Sequence, residues 1–182
     1  MHTMEDKVMK SLRTCPLFAG MSDVEIELTL DNVPHQLVSL PAHEVYALAG
    51  MPCRHVDIVV SGFLICRMAA LSGKQVEVSR LRSGNLVAPA FVFSKDRNLP
   101  VSVETDGKVD LFRMQPEALK MLMDTDETIR MNFIRILSNI DVFLTRKMKI
   151  LSLFTVREKV AYLLLEREIG RASCRERVCL YV

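Results

Sequence analysis

Residues 60–84 read "VSGFLICRMAALSGKQVEVSRLRSG". Two runs rich in β-branched and apolar residues, FLICRM and QVEVSRL, are set off by Gly62, Gly73 and Gly84. Such runs fit a pleated, half-buried surface, and the glycines supply the turn conformations between them. The pattern extends outward from about residue 35 to residue 114, through "QLVSL", "EVYALAG" and "HVDIVVSG". Gly50, Gly62, Gly73, Gly84 and Gly107 punctuate it at roughly ten-residue spacing. Many short antiparallel strands closing into a barrel or roll are predicted. The segments share no side-chain pattern beyond their glycines, so the region is not a duplicated repeat.

Helices are predicted on both sides of these strands. Val8 and Leu12 lead into "CPLFAG", and Ser22, Asp23 and Glu25 carry the chemistry of a helix start before Ile26, Leu28 and Leu30. Pro34 closes that helix. After the strands, "MQPEALKMLMDTD" is helical, with Pro116 suited to a first turn. The longest helix follows, from about Asp126 to Leu151. In it Phe133, Leu137, Ile140, Leu144, Met148 and Leu151 recur at spacings of 4, 3, 4, 4 and 3. That is close to a coiled-coil seam, while Arg130, Arg135, Arg146, Lys147 and Lys149 occupy other faces. Packing on its own barrel and pairing with a second copy both account for the stripe. Its length favours self-association, with all six residues as the expected dimer interface. Thr155 and Glu158 then form a capping-box pattern before Val156, Val160, Leu163 and Leu164.

The chain has 182 residues, of which 49% are apolar, and a formal net charge of +2. A sizeable core is therefore expected and intrinsic disorder is not. No run of about 18 apolar residues is present, so no membrane span is expected. The first ten residues, "MHTMEDKVMK", lack the apolar stretch of a signal peptide. Of the five cysteines, Cys15, Cys53 and Cys66 are widely spaced and form no CxxC pair. Reduced thiols in a cytoplasmic protein are expected, with neither a disulfide framework nor a metal site.

The order of these elements resembles the Crp/Fnr family of bacterial transcription regulators over about residues 5–168. The segments that carry the resemblance are "CPLFAGMSDVEIELTL", "VSGFLICRMAALSGKQVEVSRLRSGNLVAPAF" and "ILSLFTVREKVAYLLLE". "APAFVF" followed by "LPVSV" is similar to the Bacteroidetes-type branch. The resemblance implies an α+β fold in which an antiparallel β-roll, jelly-roll-like and of the cyclic-nucleotide-binding-domain type, is flanked by N-terminal helices. A long C-terminal dimerisation helix and a fragment of a winged helix-turn-helix follow. On this reading residues 1–125 form the sensor domain, 126–151 the dimer helix and 152–168 the start of the DNA-binding domain. The implied partners are a second copy, DNA and an unknown small-molecule effector. Arg157 and Lys159 are expected to touch DNA backbone phosphates.

The family's cyclic-nucleotide cassette opens with Gly-Glu and ends with an Arg that neutralises the phosphate. Here the corresponding stretch is "SGNLVAPAFVFSKDRNLPVSV". Gly84 matches, Asn85 stands where Glu is expected, and Leu99-Pro100 replaces the Arg and its polar neighbour. Arg97 lies two or three positions early. Gly84, Asn85, Leu86, Ala88, Arg97, Leu99 and Pro100 are the expected effector-pocket residues. Cyclic AMP is not the expected effector, because a buried phosphate without a cation or donors is costly. The oxygen-sensing branch of the family holds an iron–sulfur cluster on clustered N-terminal cysteines, and only Cys15 lies there. His35, His43 and His55 form no recognisable haem or metal set, and the adjacent His43 and Glu44 point to opposite faces of a strand. No cofactor and no catalytic set are expected; the alternative to a DNA-binding regulator is a dimeric sensor or protein-interaction module without DNA binding, with a cupin-like enzyme behind it.

Residues 169–178, IGRASCRERV, have no apolar period. Back-translated, they read as a common sequencing-library adapter, and Gly170 is expected to break the preceding helix. On that reading residues 169–182 are a non-native tail and the DNA-recognition helix is missing. A genuine basic tail that binds phosphate by charge is the alternative.

Overall fold

The computed structural model describes residues 2–31, 33–70 and 72–172. Three helical pieces come first: α1 (His2–Thr14), a short 3₁₀ turn (Pro16–Phe18) and α2 (Asp23–Leu30). Ser22 starts α2 with a complete capping box, its hydroxyl accepting from the Glu25 amide while the Glu25 carboxylate accepts from the Ser22 amide. This satisfies two of the orphan donors at the helix start.

Five strands follow: β1 (His35–Leu40), β2 (Val45–Ala47), β3 (Val56–Ala69), β4 (Gln75–Leu81) and β5 (Ser102–Met114). They form one antiparallel sheet in the order β1–β5–β3–β4, with β2 also pairing to β5. The long central strands β3 and β5 each carry register shifts in their shared ladder, at Val59/Ser61 and Ser61/Phe63. Such irregularities raise the local twist and let a sheet curl. Gly62 lies between those shifts with φ +80°, where any side chain would collide with the Lys108 carbonyl. Val56, Ile58, Val59 and Val60 are all buried, because one face of β3 lines the roll and the other is covered. Ser11 of α1 reaches over it and donates to the Val59 carbonyl at 2.7 Å.

Three helices close the described chain: α3 (Pro116–Thr125), α4 (Glu127–Leu153) and α5 (Val156–Ala172). Pro116 stands in the first turn of α3, as its missing amide allows. Asp126 caps α4 by accepting from the Ile129 amide at 3.0 Å. The first half of α4 is bolted to the N-terminal helices, with the Asn132 side-chain amide donating to the carbonyls of Leu17 and Ala19. Thr155 and Glu158 form the expected box at the start of α5.

One expectation about the tail is corrected here. α5 continues past Glu168 to Ala172, straight through Gly170. A single glycine costs a helix about 1 kcal/mol relative to alanine, which is too little to end it alone. Residues 173–182 lie outside the described residues, as does the side chain of Leu163.

Candidate functional site

The segment joining β4 to β5 carries the expected effector residues. Gly84 has φ +85° and lies against α1, where any Cβ would strike Thr14. Its amide donates to the Val59 carbonyl at 2.8 Å and reaches the Ser11 hydroxyl at 3.2 Å. The glycine is thus required by packing and by backbone conformation at once. Asn85 is half-buried, and its side-chain oxygen accepts from the Arg82 amide at 2.8 Å. That amide closes a turn, and an amide carries none of the charge of a Glu.

Leu86 is buried and bridges to Ile58, and Ala88 is buried with φ +49° at the turn before a short 3₁₀ segment, Pro89–Phe91. Leu99 is buried and exchanges backbone hydrogen bonds with Gly50 and Met51, at 2.8 and 2.9 Å. Arg97 and Pro100 are exposed. Arg97 is tied to the β2–β3 connection through its carbonyl, which accepts from the Cys53 amide at 2.9 Å. The structure therefore brings Gly84, Leu86, Ala88 and Leu99 into the core and leaves Arg97 at the surface.

The inner wall of the roll is neutral. Leu64 faces Leu81 across the β3–β4 ladder, Cys66 faces Ser79, and Val103 of β5 lies opposite Cys66; all five are buried. Burial pushes the Cys66 thiol up to about 11, so it stays protonated. Ser79 Oγ is the one buried side-chain polar atom without a hydrogen-bond partner among the described residues.

A buried ionic group ties this segment to the sheet, and no motif in the sequence singled it out. Asp57 of β3 is fully buried and accepts two hydrogen bonds from Arg113 of β5, at 2.8 and 2.7 Å. Tyr46 of β2 donates its hydroxyl to the same carboxylate at 2.7 Å. Burial, and then the Asp57 charge, push the Tyr46 phenol well above its ordinary range. The Asp57 carbonyl accepts from the Val87 amide at 2.9 Å, so one residue anchors both the ion pair and the β4–β5 segment. His55 lies near this group, and burial followed by the Arg113 charge lowers its imidazole. The available signal was an acid inside an apolar run, "HVDIVVSG", which needs a partner somewhere when both faces of the strand are covered.

The expected dimer residues divide into two sets. Phe133 is buried and packs edge-on against Phe93, with ring centroids 5.7 Å apart. It belongs to the core of this chain, unlike the expected interface residues further along α4. Leu137 and Ile140 are half-buried against the same core. Leu144, Met148 and Leu151 are 53–67% exposed. At the end of α4, Lys159 donates to the Leu151 carbonyl at 2.9 Å, so its ammonium already has a partner within the chain. Arg157 is exposed.

Cys15, Cys53 and Cys66 are free and buried, and burial raises the Cys15 thiol to about 12. Among the described residues no group of three or more His, Cys, Asp or Glu side chains could hold a metal. No described helix is long and apolar enough to cross a membrane.

No family model matches the chain, and no curated protein matches it. Solved structures do match. A transcriptional regulator from Thermotoga maritima aligns with a TM-score of 0.63 at 19% identity, covering 70% of this chain and 97% of that one. The catabolite activator protein of Thermus thermophilus gives 0.66 at 19% identity over 75% of this chain, which spans 63% of that protein's length. The sensor domain of the transcriptional regulator DNR from Pseudomonas aeruginosa gives 0.63 at 17% identity, covering 86% and 99%. The antiparallel sheet with its flanking helices is the cyclic-nucleotide-binding β-roll fold of such regulators.

Proposed function

We propose that this chain is the sensory and dimerisation part of a Crp/Fnr-type, Bacteroidetes-type transcription regulator. Residues 1–125 serve as the sensor, 126–151 as the dimer helix and 152–168 as the start of a winged helix-turn-helix. The observation that carries the reading is the course of α4. It leaves the roll with its apolar stripe still running through Leu144, Met148 and Leu151, and ends at a capped joint with α5. A second copy laid along that stripe buries it, as in other paired helices. The dimer interface is accordingly narrowed to Leu137, Ile140, Leu144, Met148 and Leu151. In the intact regulator a recognition helix following α5 reads DNA, and Arg157 rather than the engaged Lys159 is the backbone contact. The protein is placed in the cytoplasm and given no catalytic role.

The roll senses a small molecule other than cyclic AMP. With Leu99 buried where the family has its arginine, Arg97 at the surface and the Asn85 oxygen closing a turn, the segment offers a cyclic phosphate no fixed cation. Calorimetry with cyclic AMP is expected to give no binding; low-micromolar affinity overturns this part. Sedimentation is expected to give a dimer, and Leu144→Glu a monomer. A genomic read across the codon for Glu168 tests the rest. Continuation into a helix-turn-helix supports DNA control, whereas a genome that encodes IGRASCRERV favours a dimeric sensor acting through another protein.

A further inference from the structure

A cleft of about 810 Å³ opens between α1, α2 and the sheet, and its lining includes no residue of the β4–β5 segment or of α4. Its floor is apolar: Met9 and Leu12 of α1, Leu30 of α2, and Leu37 and Phe112 of the β1–β5 pair. Leu37 is 46% exposed there, although it sits directly opposite the buried Phe112. The rim is acidic. On α2, Asp23, Glu27 and Asp31 follow one another at i, i+4 and i+8, on one helical face, and all three line the cleft. Arg13 neutralises Asp23 with a two-pronged ion pair. Asp6, Glu27 and Asp31 then face a single further cation on the rim, Lys10.

This placement works against the helix that carries it. Like charges at i, i+4 destabilise a helix, and Asp31 occupies the C-cap of α2, the end at which a negative charge opposes the macrodipole. No basic residue stands in the last turn to relieve it. The whole chain carries a net charge of +2, so the negative rim is a local inversion rather than a reflection of composition.

We propose that this cleft is a docking site for a basic amphipathic helix of another protein, whose apolar face covers Leu37, Val8 and Met9 while its cations meet Glu27 and Asp31. A charge pattern that costs the free protein stability is accounted for by a partner of opposite sign. The inference does not depend on the effector or on the DNA-binding reading.

The probe is a synthetic amphipathic Leu/Lys helix of about five turns, titrated into the full chain by calorimetry. Saturable one-to-one binding that weakens with salt is expected. Glu27→Lys with Asp31→Lys, both at exposed positions, is expected to weaken binding by about tenfold or more. Glu27→Gln with Asp31→Asn is expected to give an intermediate loss, and Leu37→Ser to weaken binding without changing its salt dependence. Melting curves of the variants verify that they fold. A Leu/Glu helix of the same pattern that binds equally well, or Leu/Lys binding unaffected by the Glu27 and Asp31 changes, overturns the proposal. So does a fall in self-association caused by those changes, which identifies the occupant as a second copy.

Discussion

The two halves of α4 carry the same heptad-like stripe and meet opposite environments. From Glu127 to Ile140 the stripe is absorbed by the chain's own core: Ile129, Phe133 and Ile136 are buried and Asn132 holds the N-terminal turn. From residue 141 to 153 it lies open, with Val142, Leu144, Met148, Leu151 and Leu153 all substantially exposed. Residues 141–153 carry Arg146, Lys147 and Lys149 against the single acid Asp141, and no cation stands in the last turn. A periodic apolar stripe thus states that a helix face will be covered. It does not state by what.

The sharpest way to break the comparison is to truncate one residue in each half. Phe133→Ala is expected to destabilise the protomer by about 3–5 kcal/mol, read as a fall in denaturant midpoint, because the ring leaves a cavity beside Phe93. Leu144→Ala is expected to leave that midpoint within about 0.5 kcal/mol at low protein concentration. Its effect falls on the sedimentation equilibrium, with dimer dissociation rising by about tenfold. An equal stability loss from both substitutions removes the distinction between the halves.

A comparable effect is expected within the packed region from Arg113→Ala. It strands the fully buried Asp57 carboxylate and costs about 3–5 kcal/mol, a loss typical of a broken buried pair. Because Asp57 also holds the Val87 amide, the effector segment is expected to lose amide-exchange protection in the same variant. Unchanged exchange at Val87 separates the ion pair from the segment.

A smaller effect is expected at the helix starts. Ser22→Ala removes a cap from a helix packed on the core and is expected to cost about 1 kcal/mol of global stability. Thr155→Ala removes the same motif from a solvent-facing helix. Its loss is expected in helicity by circular dichroism, with the unfolding midpoint unmoved.

The smallest concerns pH. Burial alone raises the Asp110 carboxyl, but hydrogen bonds from Ser39 and Ser61, aided by the Lys108 charge, bring it below its ordinary value. A carboxyl lowered in the folded state stabilises it above the unfolded pKa, and that contribution is lost as pH falls through the folded value. Stability is therefore expected to decline below about pH 4, and Asp110→Asn to flatten part of that decline. A variant with an unchanged acid limb disproves the assignment.

Much of the fold was legible because its signals are local. Glycine spacing marked the turns, Ser22/Glu25 and Thr155/Glu158 marked two helix starts, and the β-branched run QVEVSRL between Gly73 and Gly84 marked β4. The roll fold expected from the resemblance agrees with the solved structures. What stayed hidden is non-local. Asp57 and Arg113 are 56 positions apart, and only the β3–β5 register puts them opposite each other. Phe133 was assigned to the seam because periodicity reports which residues share a face and not the depth of what lies beneath. Arg97 could be counted in sequence as a near-miss for a phosphate-binding arginine. Only the backbone path, with Leu99 turned inward, sets its side chain at the surface.

The joint at Phe154 and Thr155 behaves like a coupling between two finished rods. The Leu151 carbonyl at the end of α4 is held by Lys159, and the Thr155 and Glu158 amides at the start of α5 are held by their reciprocal cap. The Lys159 side chain of α5 thus crosses the joint to a carbonyl of α4, so a change in angle there must carry that bond along or break it. The Phe154–Tyr162 edge contact, with centroids 6.1 Å apart, packs the joint residue onto α5.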